Sequence, residues 1–173
     1  MASNLAVSIA LGIDEHVLLV DCDLRRPNIH RILGYSNREG LHEFLTHKRP
    51  LNELIIRTNI NKFSVITAGN TPSNPSELLS SSTMESFLKE VKNRYQDRFI
   101  IIDSTPLHAT SEAAVLARNV DGIILVIKNQ RAPREAIKKA ISFLGKEKIL
   151  GIVFNGYQRA NDNYRKYYKK YYQ

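Results

Sequence analysis

The sequence predicts an α/β fold whose sheet is mostly parallel. Helical patterns separate a series of short apolar segments, and strands that alternate with helices indicate parallel crossovers. Continuous runs of Val, Ile and Leu are typical of strands buried on both faces, which is the pattern of parallel sheets. Four such runs are present, at HVLLVD (16–21), RFIIID (98–103), GIILVI (122–127) and ILGIVFN (149–155).

The remaining elements continue this alternation along the chain. A fifth strand is predicted at KFSVITAG (62–69), and the segment GNTPSNPSELLSSST is expected to be a turn-rich linker containing one short helix. We predict one domain over residues 1–156 and a flexible, tyrosine-rich tail over residues 157–173. The helical patterns cover residues 2–11, about 40–56, 83–96, 110–119 and 132–145.

Composition narrows the class of protein. The single cysteine, Cys22, cannot form an internal disulfide, so a reducing, cytoplasmic setting is expected. The net charge is +8, and half of it lies from Arg159 onward, where five basic residues accompany one acid. This concentration of charge indicates an acidic partner: a phosphate, an anionic lipid or an acidic protein site. Nucleic acid is disfavoured, because the rest of the chain has no basic stripe with interleaved aromatic residues.

Two of the predicted strands end in an aspartate. Asp21 closes LLVD and is followed by Asp23, and Asp103 closes IIID. Ligands of open α/β sheets bind beyond the carboxyl ends of the strands, so we expect these three carboxylates to converge on one crevice. Each aspartate alone is equally well explained as a cap of a turn or helix. Together they favour a divalent cation such as Mg²⁺, which binds one or two carboxylates plus phosphate oxygens and waters.

Two motifs contain the three aspartates, VLLVDCDLRRP and FIIIDSTP. They resemble the modified Walker motif (Walker A-prime) and the Walker B motif of the bacterial tyrosine kinases (BY-kinases) of capsule and exopolysaccharide systems. TAGNTPSNPSELLSS, DGIILVIKNQRAPREA and ILGIVFNGY resemble further family segments in the same order. Single motifs are shared with partition and division-site ATPases, whereas LRRP, NPSELLSS and the tyrosine-rich tail together are not. The resemblance implies a three-layer, P-loop NTPase-like fold and an autokinase that uses ATP and Mg²⁺.

The resemblance also implies roles for individual residues. Asp21 and Asp23 match the paired acids, of which Asp21 orients or deprotonates the attacking tyrosine while both lie close to the metal. Asp103 matches the Walker B acid that holds Mg²⁺, with Asp23 beside it. Asn155 matches the position that contacts the adenine. For Arg25 and Arg26, support of phosphates or of a neighbouring subunit and a solvated surface pair are left open.

The tail carries the predicted phosphoacceptors. Basic residues lie among its tyrosines, and the family uses such a cluster for autophosphorylation. The implied partners are neighbouring subunits of a homo-oligomer, a membrane-embedded polysaccharide co-polymerase or adaptor at the inner face of the membrane, and a cognate tyrosine phosphatase. The predicted acceptors are Tyr164, Tyr167, Tyr168, Tyr171 and Tyr172.

The sequence departs from the family at one motif. It contains no G-x-x-x-x-G-K-[ST] phosphate loop, and its single Gly-Lys pair, Gly145–Lys146, is followed by Glu147. ASNLAVSIAL resembles the helix after that loop, so the loop and the first strand of the fold are expected upstream of Met1. We therefore expect the chain as written to be inactive. Three hypotheses stay open: an autokinase, an adaptor copy phosphorylated by an intact kinase, and a partition-type ATPase relative whose basic tail lies on lipid.

Overall fold

The computed structural model describes residues 1–12, 14–95, 97–107, 112–129 and 132–156. The chain divides into two compact units, Met1–Asp121 and Gly122–Gln173, and each is described by itself. The predicted tail, 157–173, lies outside the described residues, so the boundary at residue 156 stays a prediction. No helix among the described residues is both long and apolar enough to cross a lipid bilayer.

A four-stranded sheet forms the centre of the first unit. Its strand order is β2-β3-β1-β4, in which β1 runs parallel to both β3 and β4. The short β2 pairs with β3 in the antiparallel direction. The predicted mostly parallel sheet is therefore confirmed, with one antiparallel edge strand added. The strands are β1 His16–Asp21, β2 Ile56–Arg57, β3 Phe63–Ile66 and β4 Arg98–Asp103.

Helices cover both faces of this sheet, because alternate side chains of β1 enter two different cores. Val17 and Leu19 pack with Ala6 and Ala10 of the first helix. Leu18 and Val20 pack in the larger core with residues of five other helices. This arrangement is the predicted three-layer α/β fold. The helices are α1 Ala2–Ala10, α2 Ile29–Leu33, α3 Leu41–Leu45, α4 Leu51–Leu54, α5 Pro75–Leu79, α6 Ser82–Arg94 and α7 Glu112–Arg118.

The predicted helix over about 40–56 is wrong as one element. It is interrupted after α3, where His47 has a positive φ of 56° and Pro50 cannot donate the amide hydrogen that a continuing helix needs. The end of the segment, Ile56–Arg57, becomes β2 instead. The short helix α2 is also new, and Gly34 ends it in the left-handed conformation, with φ 77°.

The second unit contains a parallel strand pair joined through a helix. Strand β5, Ile123–Lys128, pairs with β6, Ile149–Asn155, and α8, Arg134–Leu144, lies between them in sequence. Gly145, with φ 83°, follows α8 and leads into a 3-10 turn at Lys146–Lys148. Both predicted strands and the predicted helix over 132–145 are confirmed.

Candidate functional site

Two predicted site acids lie side by side at the carboxyl edge of the first unit's sheet. Strands β1 and β4 pair in register from His16 opposite Arg98 to Asp21 opposite Asp103. The Cys22 backbone N–H then donates to the Asp103 carbonyl oxygen at 2.9 Å, which extends the pairing by one residue. Because neighbouring strands are about 4.8 Å apart, the two aspartates leave the sheet as immediate neighbours. The predicted convergence of Asp21 and Asp103 is confirmed.

The Asp21 carboxylate fixes the loop that follows β1. Its Oδ2 accepts hydrogen bonds from the backbone N–H groups of Asn28 and Ile29, at 3.2 and 3.1 Å, and its Oδ1 accepts from that of Asp23 at 3.1 Å. The residue is 0% exposed. Burial raises the pKa of Asp21 above its usual value, although the three backbone donors oppose this. Asp21 is thus a stronger proton acceptor than an exposed aspartate.

The pKa of Asp103 is raised more than that of Asp21. Burial raises the pKa of Asp103 to about 6, and the negative charges of Asp21 and Asp23 add to the rise. Partly buried carboxylates that repel one another bind a cation favourably, because a positive charge relieves the repulsion.

The donor set at this edge fits Mg²⁺. Carboxylate oxygens are hard ligands, and Mg²⁺ needs only one or two of them besides phosphate oxygens and waters. Asp23 is half-buried and its charge reaches Asp103, so all three predicted carboxylates act on the same region. Across the parts of the chain that the structure describes, no group of three His, Cys, Asp or Glu side chains is arranged to hold a metal ion. A Mg²⁺ ion held at this edge would therefore need ligand oxygens in addition to the carboxylates.

The two predicted arginines lie in different surroundings. The Arg25 guanidinium donates through Nε to Glu112 Oε1 at 2.8 Å and through a terminal nitrogen to Ser76 Oγ at 3.1 Å. Arg26 is exposed, and its backbone N–H donates to Asp23 Oδ1 at 2.9 Å. Sequence reasoning missed Glu112, because an acid in the first turn of a helix is expected from the helix dipole alone. The predicted phosphate-supporting role of both arginines stays a prediction.

Cys22 lies between Asp21 and Asp23 in sequence and is buried like Asp21. It is 0% exposed, and burial together with the charges of Asp21 and Asp103 raises the pKa of its thiol well above the usual value. A thiol held in the protonated form is a poor nucleophile. Cys22 therefore acts as an apolar core residue beneath the site.

The remaining predicted site residues lie elsewhere in the chain. Asn155 is exposed at the end of β6 in the second unit, and its backbone carbonyl accepts from the Asn129 N–H at 2.9 Å. Its predicted contact with adenine stays a prediction. The five predicted phosphoacceptors, Tyr164, Tyr167, Tyr168, Tyr171 and Tyr172, lie outside the described residues.

Comparisons with known proteins match nearly the whole chain. The sequence profile of the family described as "ParA: NUBPL iron-transfer P-loop NTPase" matches residues 1–171. "Putative tyrosine-protein kinase CapB" of Staphylococcus aureus is 35% identical over 171 residues, covering 97% of this chain and 74% of that protein. "Tyrosine-protein kinase YwqD" of Bacillus subtilis (strain 168) is 34% identical over 169 residues, covering 96% and 70%.

Solved structures agree with these sequence matches. The crystal structure of the VpsO kinase domain superposes with a TM-score of 0.82 at 34% identity, covering 91% of this chain and 77% of that one. The septum site-determining protein MinD of Pyrococcus horikoshii OT3, solved with Mg-ADP, shares the fold with a TM-score of 0.72 at 23% identity, covering 92% and 65%. The chain therefore belongs to the family of bacterial tyrosine-protein kinases, which has the P-loop NTPase fold.

Proposed function

We propose that this chain belongs to the catalytic domain of a protein-tyrosine autokinase, which as the intact protein transfers the γ-phosphoryl group of ATP to its own C-terminal tyrosines. The observation that carries the proposal is the in-register pair Asp21 and Asp103 at the carboxyl edge of the sheet. Family membership supplies the reaction class, and the pair supplies acids where a parallel sheet binds its ligand. Perturbed carboxylates in such a position are candidates for chemistry rather than for stability.

The acids divide the work by their surroundings. Asp103 and Asp23 would hold Mg²⁺, which when bound neutralises charge on the phosphate oxygens. Asp21 accepts the phenol proton as the tyrosine oxygen forms its bond to the γ-phosphorus, and the bond to the ADP oxygen breaks with its electron pair. A phenol has a pKa of about 10, so at neutral pH it needs such an acceptor. The raised pKa of Asp21 makes it a better acceptor than an ordinary aspartate.

The tail supplies the acceptor tyrosines. Arg165, Lys166, Lys169 and Lys170 carry positive charge that draws the unmodified tail toward an acidic site. Each phosphotyrosine adds roughly −1.5 to −2 charges, so two or three of them cancel the four basic residues. Phosphorylation would then release the tail from the site and loosen contacts between neighbouring subunits. Through this phosphorylation the protein would regulate the synthesis or export of a capsule or exopolysaccharide. A membrane protein would be its partner, and a phosphatase would remove the phosphates.

The proposal is tested with Asp21→Asn in the protein as its gene encodes it. Phosphotyrosine on the tail is followed by mass spectrometry after addition of ATP and Mg²⁺. We expect a loss of at least about 100-fold in labelling rate, because general base catalysis contributes that much or more. Asp14→Asn is the matched control, since Asp14 is an exposed aspartate outside the site.

Labelling of Asp21→Asn at the unmodified rate would show that Asp21 is not the base. If the unmodified protein is labelled only when a second, intact tyrosine kinase is added, the chain is a phosphorylated adaptor. In that case the autokinase proposal fails.

A further inference from the structure

Glu112 is a buried carboxylate that connects three separate segments of the first unit. It is 1% exposed and begins α7. Its Oε1 accepts from Arg25 Nε at 2.8 Å and from Ser76 Oγ at 2.6 Å. Its Oε2 lies 3.5 Å from the hydroxyl of Thr105, two residues beyond Asp103. The loop after β1, helix α5 and the loop after β4 therefore meet at one carboxylate.

Because Glu112 is buried, the stability of its carboxylate depends strongly on the positions of its partners. A buried carboxylate is stable only when it is paired and hydrogen-bonded, so the energy of Glu112 depends on where Arg25 and Ser76 lie. Arg25 is 47% exposed on its side chain, whereas Glu112 is 1% exposed. The pair thus differs from an ordinary surface ion pair, in which both charges are exposed to water and the contribution to stability is small. The planar guanidinium contacts both Glu112 and Ser76, which fixes its orientation as well as its position.

The loop after β1 is consequently held at two points. Its inner anchor is the Asp21 carboxylate, which accepts from the N–H groups of Asn28 and Ile29. Its outer anchor is the contact between Arg25 and Glu112. Asp23 lies between the two anchors in sequence. Its carboxylate accepts a hydrogen bond from the backbone N–H of Arg26, the residue that follows the outer anchor, Arg25.

We infer that Glu112 is a positioning residue for the phosphoryl-transfer site. By holding Arg25, it fixes the direction in which the Asp23 carboxylate faces and the distance of that loop from the end of β4. The predicted effect of Glu112 on catalysis rests on the proposed function. Its predicted effect on the position of the loop rests on geometry alone. Catalytic groups must be held to within a fraction of an ångström, so loosening such a support lowers the rate of the chemical step.

The first test measures the loop directly by amide hydrogen exchange, in Glu112→Gln and in the unmodified protein. We expect the Arg26 and Asn28 amides to exchange about tenfold faster in the variant, the factor that the loss of one charged hydrogen bond gives. The Leu18 amide in the centre of β1 should not change. Glu39→Gln is the matched control, because Glu39 also pairs with an arginine, Arg49, but is half exposed.

Unchanged exchange at Arg26 and Asn28 would overturn the inference. Equal acceleration at Leu18 would also overturn it, because the carboxylate would then stabilise the whole unit without positioning the loop. Should Glu112→Gln not fold, Ser76→Ala removes one hydrogen bond to the same carboxylate and keeps the charge pair. We then expect about fivefold faster exchange at Arg26, and no change there would overturn the inference.

The second test separates positioning from substrate binding by steady-state kinetics on the protein as its gene encodes it. Glu112→Gln should lower kcat by about 10- to 100-fold and change KM for ATP–Mg²⁺ by less than about threefold. The double variant with Arg25→Gln should be no slower than Glu112→Gln alone, because Glu112 acts through Arg25. An unchanged kcat, or a double variant whose losses multiply, would contradict this role. If the unmodified protein transfers no phosphoryl group, the proposed function fails, and hydrogen exchange alone decides about Glu112.

Discussion

Two buried carboxylate regions of the first unit have opposite electrostatic character. At the carboxyl edge of the sheet, burial and mutual repulsion raise the pKa of Asp103 to about 6. At the start of α3, Glu43 is 4% exposed. Burial alone would raise the pKa of Glu43, but hydrogen bonds to Asn70, His42 and the Gly40 backbone lower it below the usual value. Burial is common to both regions, so the sign of the pKa shift depends on the hydrogen-bond donors and the charges around each carboxylate.

The donors around Glu43 are closely arranged. Its Oε2 accepts from the Gly40 N–H at 2.7 Å, and its Oε1 accepts from Asn70 Nδ2 at 2.8 Å. His42 Nδ1 lies 2.9 Å from Oε1 and donates in the tautomer protonated there. A carboxylate satisfied in this way stabilises the fold, whereas acids whose charges repel one another are candidates for ligand binding.

Of the variants that test this difference, Glu43→Gln is expected to change the free energy of unfolding most. The amide cannot accept at both oxygen positions, and its NH₂ group would face either Gly40 N–H or the Asn70 donor. We expect a loss of about 2–3 kcal/mol in the free energy of unfolding, measured by urea denaturation. Glu77→Gln is the control, because Glu77 is exposed and its Oε2 accepts from the Asn74 side chain at the surface. A loss no larger than that of the control would show that the Gly40 cap does not depend on the charge.

Asp103→Asn should raise the free energy of unfolding, by less than Glu43→Gln lowers it. Removing the charge relieves the cost of its burial and its repulsion with Asp21, so the free energy of unfolding should rise by roughly 1–2 kcal/mol at neutral pH. Thermal unfolding without added cation measures this. The gain should shrink when Mg²⁺ is added, since the cation stabilises only the unmodified protein. A destabilised variant would show that the Asp103 carboxylate is satisfied in the folded protein, as Glu43 is.

The smallest effect is a pair of opposite pH dependences. Glu43 has a lowered pKa, so its contribution to the free energy of unfolding is present above about pH 4.5. That contribution is lost as the pH falls below this value. Asp103 has a raised pKa, so its contribution is present below about pH 4 and is lost as the pH rises to about 6. Urea midpoints between pH 3.5 and 7, at about half-unit steps, should show the first trend vanish in Glu43→Gln and the second in Asp103→Asn. Parallel profiles for the unmodified protein and both variants would contradict the two assignments.

Local patterns in the sequence were sufficient to predict the strands and the acids that end them. Continuous apolar runs and terminal aspartates are local features, so the positions of β1 and β4 and the convergence of Asp21 with Asp103 follow from the parallel arrangement alone. The interruption of the segment over 40–56 also had a local signal in Pro50, but the helical pattern around it outweighed that signal. The tail and Asn155 were assigned by resemblance, and their roles stay predictions.

The tertiary structure alone decided what each buried carboxylate contacts. Glu112 lies 87 residues from Arg25 along the chain, and Asn70 lies 27 residues from Glu43, so no local pattern joins them. The same residue type is therefore a satisfied cap at Glu43, a support at Glu112 and a repelled neighbour at Asp103. A carboxylate's charge is fixed by its chemistry, but its pKa and its role depend on the donors and charges that folding brings within a few ångströms.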